Sequence, residues 1–297
     1  MPAWLTWTIV ALVSWGIWAV LAKLLGDTVS AQQSQALSTL GIVPILIALA
    51  LSKRTLLRGT SRQGLLLALV GGVVTCLGNV AYYAAIGRGE KVATVVSLTA
   101  LYPLTTILLA VIILRERLNG VQLTGIALSF VAIWLFNIQS GAGLLSATIV
   151  YALLPIFFWG LSGFLQKVAT NHLSAEVAAF VYLSAFIPVG VFFALNEPWP
   201  GALTPRAWML LLALGFFLAF GNFAILAAFA RGGKAAVIAP LGSLYPVISV
   251  PVAILFLGEK VGKREIIAIV CALASVAALS WESAPAKPVI ANPELES

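Results

Sequence analysis

Apolar blocks of about 20 residues, nearly free of charge, follow one another along almost the whole of this sequence. A helix of about 20 apolar residues is long enough to cross the hydrocarbon core of a bilayer. Of the 297 residues, 61% are hydrophobic and 9% are charged, whereas about 25% of an ordinary soluble domain is charged. The blocks therefore predict an all-α integral membrane protein.

Ten transmembrane helices fit between the charged or turn-rich breaks. Residues 282–297 are polar, contain three prolines and are predicted to form a disordered cytoplasmic tail. The predicted helices are 4–23, 34–52, 65–86, 92–114, 119–138, 144–167, 175–195, 207–229, 235–257 and 263–281.

The distribution of lysine and arginine predicts the orientation. With a cytoplasmic N-terminus, the inside loops and the tail hold ten basic residues and the outside loops hold seven. Because basic residues favour cytoplasmic loops, both termini are predicted to be cytoplasmic. The predicted location is a bacterial inner (plasma) membrane. The net charge of +7 is then a topology signal, and no nucleic-acid partner is expected.

The chain contains an internal repeat. Sliding the sequence along itself by 144 residues in helices 1 and 2, and by 143 residues from helix 3 onward, brings unusual residue types into register. The difference is a single-residue insertion between helices 2 and 3. Agreement at Trp, Asn, Tyr and Pro is harder to reach by chance than agreement at Leu or Ala. The predicted repeats are 4–138 and 144–281, with five helices each. The matched groups are Trp15-Gly16 with Trp159-Gly160, Gly78-Asn79 with Gly221-Asn222, and Leu101-Tyr102-Pro103 with Leu244-Tyr245-Pro246.

We call two residues that this alignment superposes repeat partners. Five helices per repeat is an odd number, so the second repeat enters the membrane from the opposite side. This predicts two inverted repeats related by a pseudo-two-fold axis in the membrane plane. Helices interrupted at matching places in the two repeats are a sequence pointer to a transporter's binding site.

The duplicated Trp-Gly and Tyr-Pro pairs, each Tyr-Pro followed by Glu116-Arg117 or Glu259-Lys260, resemble the EamA-type branch of the drug/metabolite transporter superfamily. The resemblance covers residues 4–281. It implies ten helices with both termini cytoplasmic, and a central cavity lined by helices 1–4 and 6–9, with helices 5 and 10 at the periphery. It also implies transport of small metabolites, often the export of amino acids.

The two Tyr-Pro pairs are the first candidates for the lining of a substrate cavity. Pro103 and Pro246 lack an amide hydrogen, which frees the carbonyls of Thr99 and Gly242. In lipid such a carbonyl must meet protein, water or substrate, although a purely structural kink is an equal alternative. Further candidates on these two helices are Ser97, Thr99, Tyr102, Ser243 and Tyr245.

Two amides and two indoles complete the predicted cavity. Asn79 and Asn222 lie inside apolar helices, where an amide serves as a link between helices or as a substrate ligand. Trp15 and Trp159 lie deep in helices 1 and 6, where they line a cavity or pack against neighbouring helices.

The charged residues at helix ends allow two interpretations. Lys23 and Lys167 end helices 1 and 6, where snorkelling to the headgroups is the ordinary explanation. The alternative is a pair of gate charges that attract an anionic group such as a carboxylate. Glu116 and Glu259 are predicted to form structural ion pairs in their loops, beside Arg117 and Lys260.

No aspartate or glutamate falls at the centre of a predicted helix. A buried carboxylate is the usual device of proton-coupled transport of cations, so neutral or zwitterionic solutes are favoured over cationic drugs. Motifs for a metal, a nucleotide or a catalytic nucleophile are absent, and Cys76 and Cys271 form no metal or disulfide pattern. We expect no enzyme activity and no cofactor.

The sequence is best interpreted as a secondary transporter, an exporter of small polar metabolites such as amino acids. It would work by alternating access around a cavity at the membrane midplane, as a monomer or homodimer in the lipid bilayer. Two alternatives stay open. One is a flippase for lipid-linked sugars, with a lateral opening. The other is a non-transporting scaffold or receptor, whose central helices would pack shut and leave Asn79 and Asn222 bonded only to protein.

Overall fold

The computed structural model describes residues 2–52, 61–88, 91–114, 118–137, 147–231, 235–279 and 281. Within these ranges the regular secondary structure is entirely α-helical. The helices are α1 Ala3–Leu25, α2 Ala31–Leu51, α3 Arg62–Gly87, α4 Val92–Thr99, α5 Pro103–Leu114, α6 Gly120–Asn137, α7 Ala147–Thr170, α8 Ala175–Ser184, α9 Phe186–Asn196, α10 Pro205–Ala230, α11 Ala235–Ser243, α12 Pro246–Phe256 and α13 Lys263–Leu279.

Three of the ten predicted helices are divided into two half-helices. The predicted breaks at the Tyr-Pro pairs are confirmed, because α4 ends at Thr99 before α5 starts at Pro103, and α11 ends at Ser243 before α12 starts at Pro246. The break at Ala185, between α8 and α9, was not predicted. Pro188 contributes to it, since a proline removes the amide hydrogen that would bond the carbonyl four residues earlier, but its repeat partner Pro44 lies inside the unbroken α2.

Among the described residues, eight helical stretches are long and apolar enough to cross a membrane. They correspond to predicted helices 1–4 and 6–9, and the chain is therefore a multi-pass membrane protein. Predicted helices 5 and 10 correspond to α6, whose apolar part is Gly120–Leu135, and to α13, of 17 residues. Several predicted features lie outside the described residues: the basic residues Lys53, Arg54 and Arg58, together with Glu116, the linker 139–143 and the tail 282–297.

Helices α6 and α13 pack against each other. The hydroxyls of Ser129 and Ser275 are 2.6 Å apart, and Ser275 also donates to the carbonyl of Gly125. A β-carbon on Gly125 would lie 3.0 Å from the carbonyl oxygen of Ser275, so the glycine allows this close approach. Hydroxyls and small residues of this kind are the usual links between helices in lipid.

Helix starts repeat along the chain because their capping residues repeat. Ser30 caps α2, and its repeat partner Ser174 caps α8. Ser61 caps α3, and its repeat partner Thr204 caps α10. A side-chain oxygen at these positions accepts one of the amide hydrogens that a helix start leaves unpaired.

Glycines bring the two halves of the chain into direct contact at matched positions. A β-carbon on Gly72 would collide with the carbonyl oxygen of Tyr182, and one on Gly215 with the carbonyl oxygen of Ser38. Gly72 and Gly215 are repeat partners, and so are Ser38 and Tyr182. The same helix contact is therefore made twice, with the two halves exchanging roles.

Replacing either glycine by alanine tests this contact. Gly72→Ala and Gly215→Ala should each lower the free energy of unfolding by about 1–3 kcal/mol, because the added methyl overfills the interface. The thermal unfolding midpoint in detergent measures the effect. Gly87→Ala is the matched control, since a β-carbon there meets nothing within 4 Å. Equal midpoints for all three variants would show that the helices approach less closely than described.

Candidate functional site: a central cavity

The candidate site is a cavity between helices from both halves of the chain, beside two of the helix breaks. The volume in which the centre of a water molecule fits is about 60 Å³. This is several times the volume that one bound water needs. Neutral polar groups come from Thr75, Asn79, Gln166 and Asn222. The aromatic walls are Trp15, Trp18, Tyr102, Trp159, Tyr182, Phe229 and Tyr245.

The structure brings together six of the eleven residues predicted to line a substrate cavity. These six line the cavity directly: Trp15, Asn79, Tyr102, Trp159, Asn222 and Tyr245. The other five are buried beside the helix breaks and are not part of the lining: Ser97, Thr99, Pro103, Ser243 and Pro246. A role of any of them in substrate binding stays a prediction.

The tyrosines of the two breaks bond across to each other's helices. The hydroxyl of Tyr102 donates to the carbonyl of Ala239, at 3.3 Å, and that of Tyr245 approaches the carbonyl of Val96, at 3.4 Å. Val96 and Ala239 are repeat partners, as the two tyrosines are. Thr99 adds a contact of 2.9 Å with the Tyr245 hydroxyl. Each break is thus tied to the opposite repeat.

The carbonyl of Thr99 corrects one expectation from the sequence. Although Pro103 cannot donate to it, the amide of Tyr102 does so at 3.1 Å, in a tighter turn. This carbonyl therefore has a partner in the protein and does not require a water or a substrate. The hydroxyl of Ser243 donates to the carbonyl of Pro240, whereas the buried hydroxyl of Ser97 has no partner among the described residues.

Asn79 is engaged by protein at both ends of its amide. It donates to Oε1 of Gln35 at 3.1 Å and accepts the indole N–H of Trp159 at 3.1 Å. Gly78 makes room for this contact, because a β-carbon there would lie 2.5 Å from the Trp159 indole nitrogen. Of the two predicted roles, the link between helices is present in the structure.

The second amide is bonded differently. Asn222 donates to the carbonyl of Leu218 at 2.8 Å, and its Oδ1 faces the hydroxyl of Tyr182 at 3.1 Å. The indole of Trp15 lies against Gly221 as Trp159 lies against Gly78. Its N–H has no hydrogen bond to Asn222 or to any other described residue. The N–H of Trp159 is thus occupied by Asn79, whereas the N–H of its repeat partner Trp15 is a free donor beside the cavity.

A hydrogen-bonded chain that the sequence did not suggest runs beside the cavity. Thr75 lies 2.7 Å from the hydroxyl of Ser162 and 2.6 Å from that of Tyr182, while Nε2 of Gln166 donates to Ser162 at 3.3 Å. Hydroxyls often bond their own helix, which made them weak candidates. Gln166 carried a usable signal, because it is an amide in an apolar helix like Asn79.

Stacked aromatic rings close the cavity on one side. Trp18 stacks on Tyr82 with ring centroids 4.6 Å apart and donates its indole N–H to the hydroxyl of Tyr83 at 3.2 Å. Trp159 packs against both Trp18 and Tyr82. Beyond this aromatic cluster lie the ends of α1 and α12 and the start of α4.

Charged side chains join those helix ends. Glu259 accepts hydrogen bonds from the amides of Val92 and Ala93, at 2.8 and 3.0 Å, at the start of α4. Nζ of Lys23 lies 3.7 Å from the same carboxylate. The partners found for Glu259 are therefore a helix start and a distant lysine, rather than the neighbouring Lys260 that the sequence suggested. An anion at a helix N-terminus is stabilised by the exposed amides and the helix dipole.

A second ion pair lies in the same region. Nζ of Lys91 is 2.7 Å from both carboxylate oxygens of Glu265, whose side chain is 4% exposed. Glu265 also accepts from the amide of Gly262 at 2.7 Å, which caps α13. The two pairs together hold the ends of α1, α4, α12 and α13 at one end of the bundle. Lys167, at the end of α7, belongs to a different part of the chain.

None of the described residues that line the cavity carries a formal charge. The described part of the chain also contains no group of three or more His, Cys, Asp or Glu residues placed to hold a metal ion. What the site offers is therefore neutral hydrogen-bonding groups set in aromatic walls.

Comparison with known proteins identifies relatives. A model of the EamA-like transporter family matches residues 2–138 and 146–281. An uncharacterized protein, MJ1333.1 of Methanocaldococcus jannaschii, is 28% identical over 128 residues, which cover 43% of this chain and 91% of that protein. A protein of known crystal structure has a TM-score of 0.67 at 16% identity, covering 92% of this chain and 94% of that one. At this identity the crystal structure is evidence for the fold alone.

The amide of Asn79 can be tested by a double-mutant cycle. Asn79→Leu removes the partner of the half-buried Trp159 N–H and of the buried Gln35 Oε1, which should cost about 1–3 kcal/mol. Gln35→Leu combined with Asn79→Leu should cost less than the two single changes added together, since neither amide then lacks a partner. Thermal unfolding in detergent provides the measurement. Asn196→Leu, at an exposed helix end, is the control, and strictly additive losses would contradict the bond.

Proposed function

This chain belongs to the EamA-like transporter family, and we propose that it is a secondary transporter that exports small polar metabolites such as amino acids. The family is one of transporters and not of enzymes. The observation that carries the proposal is the central cavity, which is lined by aromatic rings and neutral hydrogen-bonding groups from both repeats.

The lining favours solutes without net charge. Moving an isolated charge from water into an apolar site is costly unless an opposite charge pairs with it, and no described lining residue supplies one. A zwitterion can instead satisfy neutral donors and acceptors. The Trp15 N–H is a donor for a carboxylate, and the amide oxygens beside the cavity are acceptors for an ammonium group.

Alternating access between two inverted repeats is the proposed mechanism. The reciprocal tyrosine contacts, the exchanged glycine contacts and the paired helix caps are all made by repeat partners. An approximate two-fold relation of this kind is what an inverted pair of five-helix repeats requires. In this proposal ten helices cross the inner membrane, and both termini are cytoplasmic.

We infer that the described conformation is closed at one end. The aromatic cluster around Trp18 and the ion pairs of Glu259 and Glu265 lie on one side of the cavity. The cavity itself extends along the last turns of α7 and α10, to Gln166 and Phe229. We assign the closed end to the outside of the membrane, because α1 would end there if the N-terminus is cytoplasmic.

The scaffold alternative predicted a closed centre with both asparagines bonded to protein alone. The asparagines do bond to protein, but the centre contains a cavity, and the family is one of transporters. The flippase alternative makes a different prediction for function, namely movement of lipid-linked sugars between leaflets with no flux of water-soluble amino acids.

Flux into proteoliposomes tests the proposed function directly. Purified protein should exchange zwitterionic amino acids, while sugars and permanently cationic drugs should be carried at background rates. Ala239→Phe should abolish the flux, because Ala239 lines the cavity. Val191→Phe is the matched control on an exposed helix face. If no amino acid is exchanged, this function is wrong.

The proposed gate charges can be tested in the same assay. Lys23→Gln and Lys167→Gln should each raise the KM for amino acids by a few-fold, because each removes a cation that attracts the carboxylate. An amino-acid amide, which lacks the carboxylate, should be affected much less. Lys263→Gln, at the exposed start of α13, is the control. Unchanged transport of every substrate by both variants would remove the gate role.

A further inference from the structure

Gln166 lines the cavity and has an unused hydrogen-bond acceptor. The residue is 5% exposed and lies on α7 between Ser162 and the end of the helix. The Nε2 atom donates to Ser162, whereas Oε1 has no hydrogen-bond partner among the described residues. A buried amide oxygen without a partner is unusual in a folded protein and calls for an explanation.

The neighbouring hydroxyls fix which way the Gln166 amide points. Ser162, Thr75 and Tyr182 each carry one hydroxyl hydrogen. Between them they make four contacts: with the carbonyl of Gly71 at 2.9 Å, between Ser162 and Thr75 at 2.7 Å, between Thr75 and Tyr182 at 2.6 Å, and with Oδ1 of Asn222 at 3.1 Å. Three hydrogens therefore serve four contacts.

Turning the amide over would make this shortage worse. If Oε1 of Gln166 accepted the Ser162 hydrogen, two hydrogens would remain for the four contacts, and Nε2 would lose its acceptor. The arrangement in the structure has Nε2 donating to Ser162, which leaves Oε1 as a buried acceptor without a partner among the described residues, in a side chain that lines the cavity. This orientation follows from the count of hydrogens.

The same shortage reaches Asn222. Its Nδ2 is held by the carbonyl of Leu218, so Oδ1 is the atom that meets Tyr182. When the hydroxyl hydrogens all point towards Gly71, Oδ1 of Asn222 receives none. A donor from a bound solute would then bond Oδ1 of Asn222. The hydroxyl of Tyr182 can allow this by donating to Thr75 in place of Asn222. With the hydrogens in that direction, the cavity is short of hydrogen-bond donors at two positions, Oε1 of Gln166 and Oδ1 of Asn222.

We propose that Oε1 of Gln166, together with Oδ1 of Asn222, binds the ammonium group of the transported solute. The assignment rests on the proposed transport of amino acids and adds the residues that recognise them. An ammonium group carries three hydrogens, enough for both acceptors, whereas a hydroxyl carries one. The aromatic walls also attract a cation through their ring faces.

Matched pairs of zwitterions separate hydrogen bonding from charge. L-Alanine and L-phenylalanine are each compared with their N,N,N-trimethyl derivatives, which keep both charges but have no N–H donor. Binding is measured with the purified full-length protein in detergent, from the thermal shift as ligand concentration rises. The readout does not require transport, so a failure of flux and a failure of recognition remain distinguishable.

Wild-type protein should bind the free ammonium member of each pair about fivefold to a hundredfold more tightly, because the trimethyl form leaves the acceptors unpaired. In Gln166→Leu the preference should fall to about twofold or less. Gln122→Leu is the matched control: this glutamine is as buried as Gln166 but caps α6 away from the cavity, so its preference should equal the wild type's.

Two results would overturn the assignment. One is equal binding of both members of each pair by the wild type, or no binding of either. The other is a wild-type preference retained in folded Gln166→Leu. If Gln166→Leu fails to fold, Gln166→Met takes its place, since Met has a similar length and no amide oxygen, and the same loss of preference is expected.

Discussion

Within a bilayer no water is available to backbone groups, so each amide and carbonyl must find its partner in the protein. This constraint makes the interrupted helices the decisive places in the structure. At the first break a tight turn satisfies the Thr99 carbonyl, and Tyr102 reaches across to the carbonyl of Ala239. At the second break Tyr245 reaches back towards Val96. The breaks are stable because each repeat supplies part of the other's hydrogen bonding, and the cavity forms beside them.

The repeat gives a frame with matched contacts, but the lining of the cavity departs from it. Thr75, Gln166 and Tyr182 have Leu218, Ala22 and Ser38 as their repeat partners. The hydroxyl chain and its glutamine thus exist once. Conversely, the Asn79–Trp159 bond has no counterpart between Asn222 and Trp15. Common glycine contacts join the two halves, while the unmatched polar groups give the cavity a lining that the repeat does not duplicate.

Charge is kept apart from this cavity. The described ion pairs, Lys23 with Glu259 and Lys91 with Glu265, join helix ends at one end of the bundle, where water and headgroups lower the cost of a charge. Because Glu259 also caps α4, it links the start of this interrupted helix in the first repeat to the end of α12 in the second repeat. Separation of charged ends from a neutral centre suits passage of solutes without net charge.

The sequence by itself determined the membrane class, the two repeats and the two breaks at Tyr-Pro, because apolar length and the missing proline amide act locally. It also pointed to six lining residues through their duplication. Only the tertiary structure decided that Gln166 and Tyr182 join them, that α8 and α9 separate at Ala185, and that Glu259 meets Val92 and Lys23. Helices that are apolar on all sides carry little record of which face turns inward. Their rotation is set by packing between distant segments.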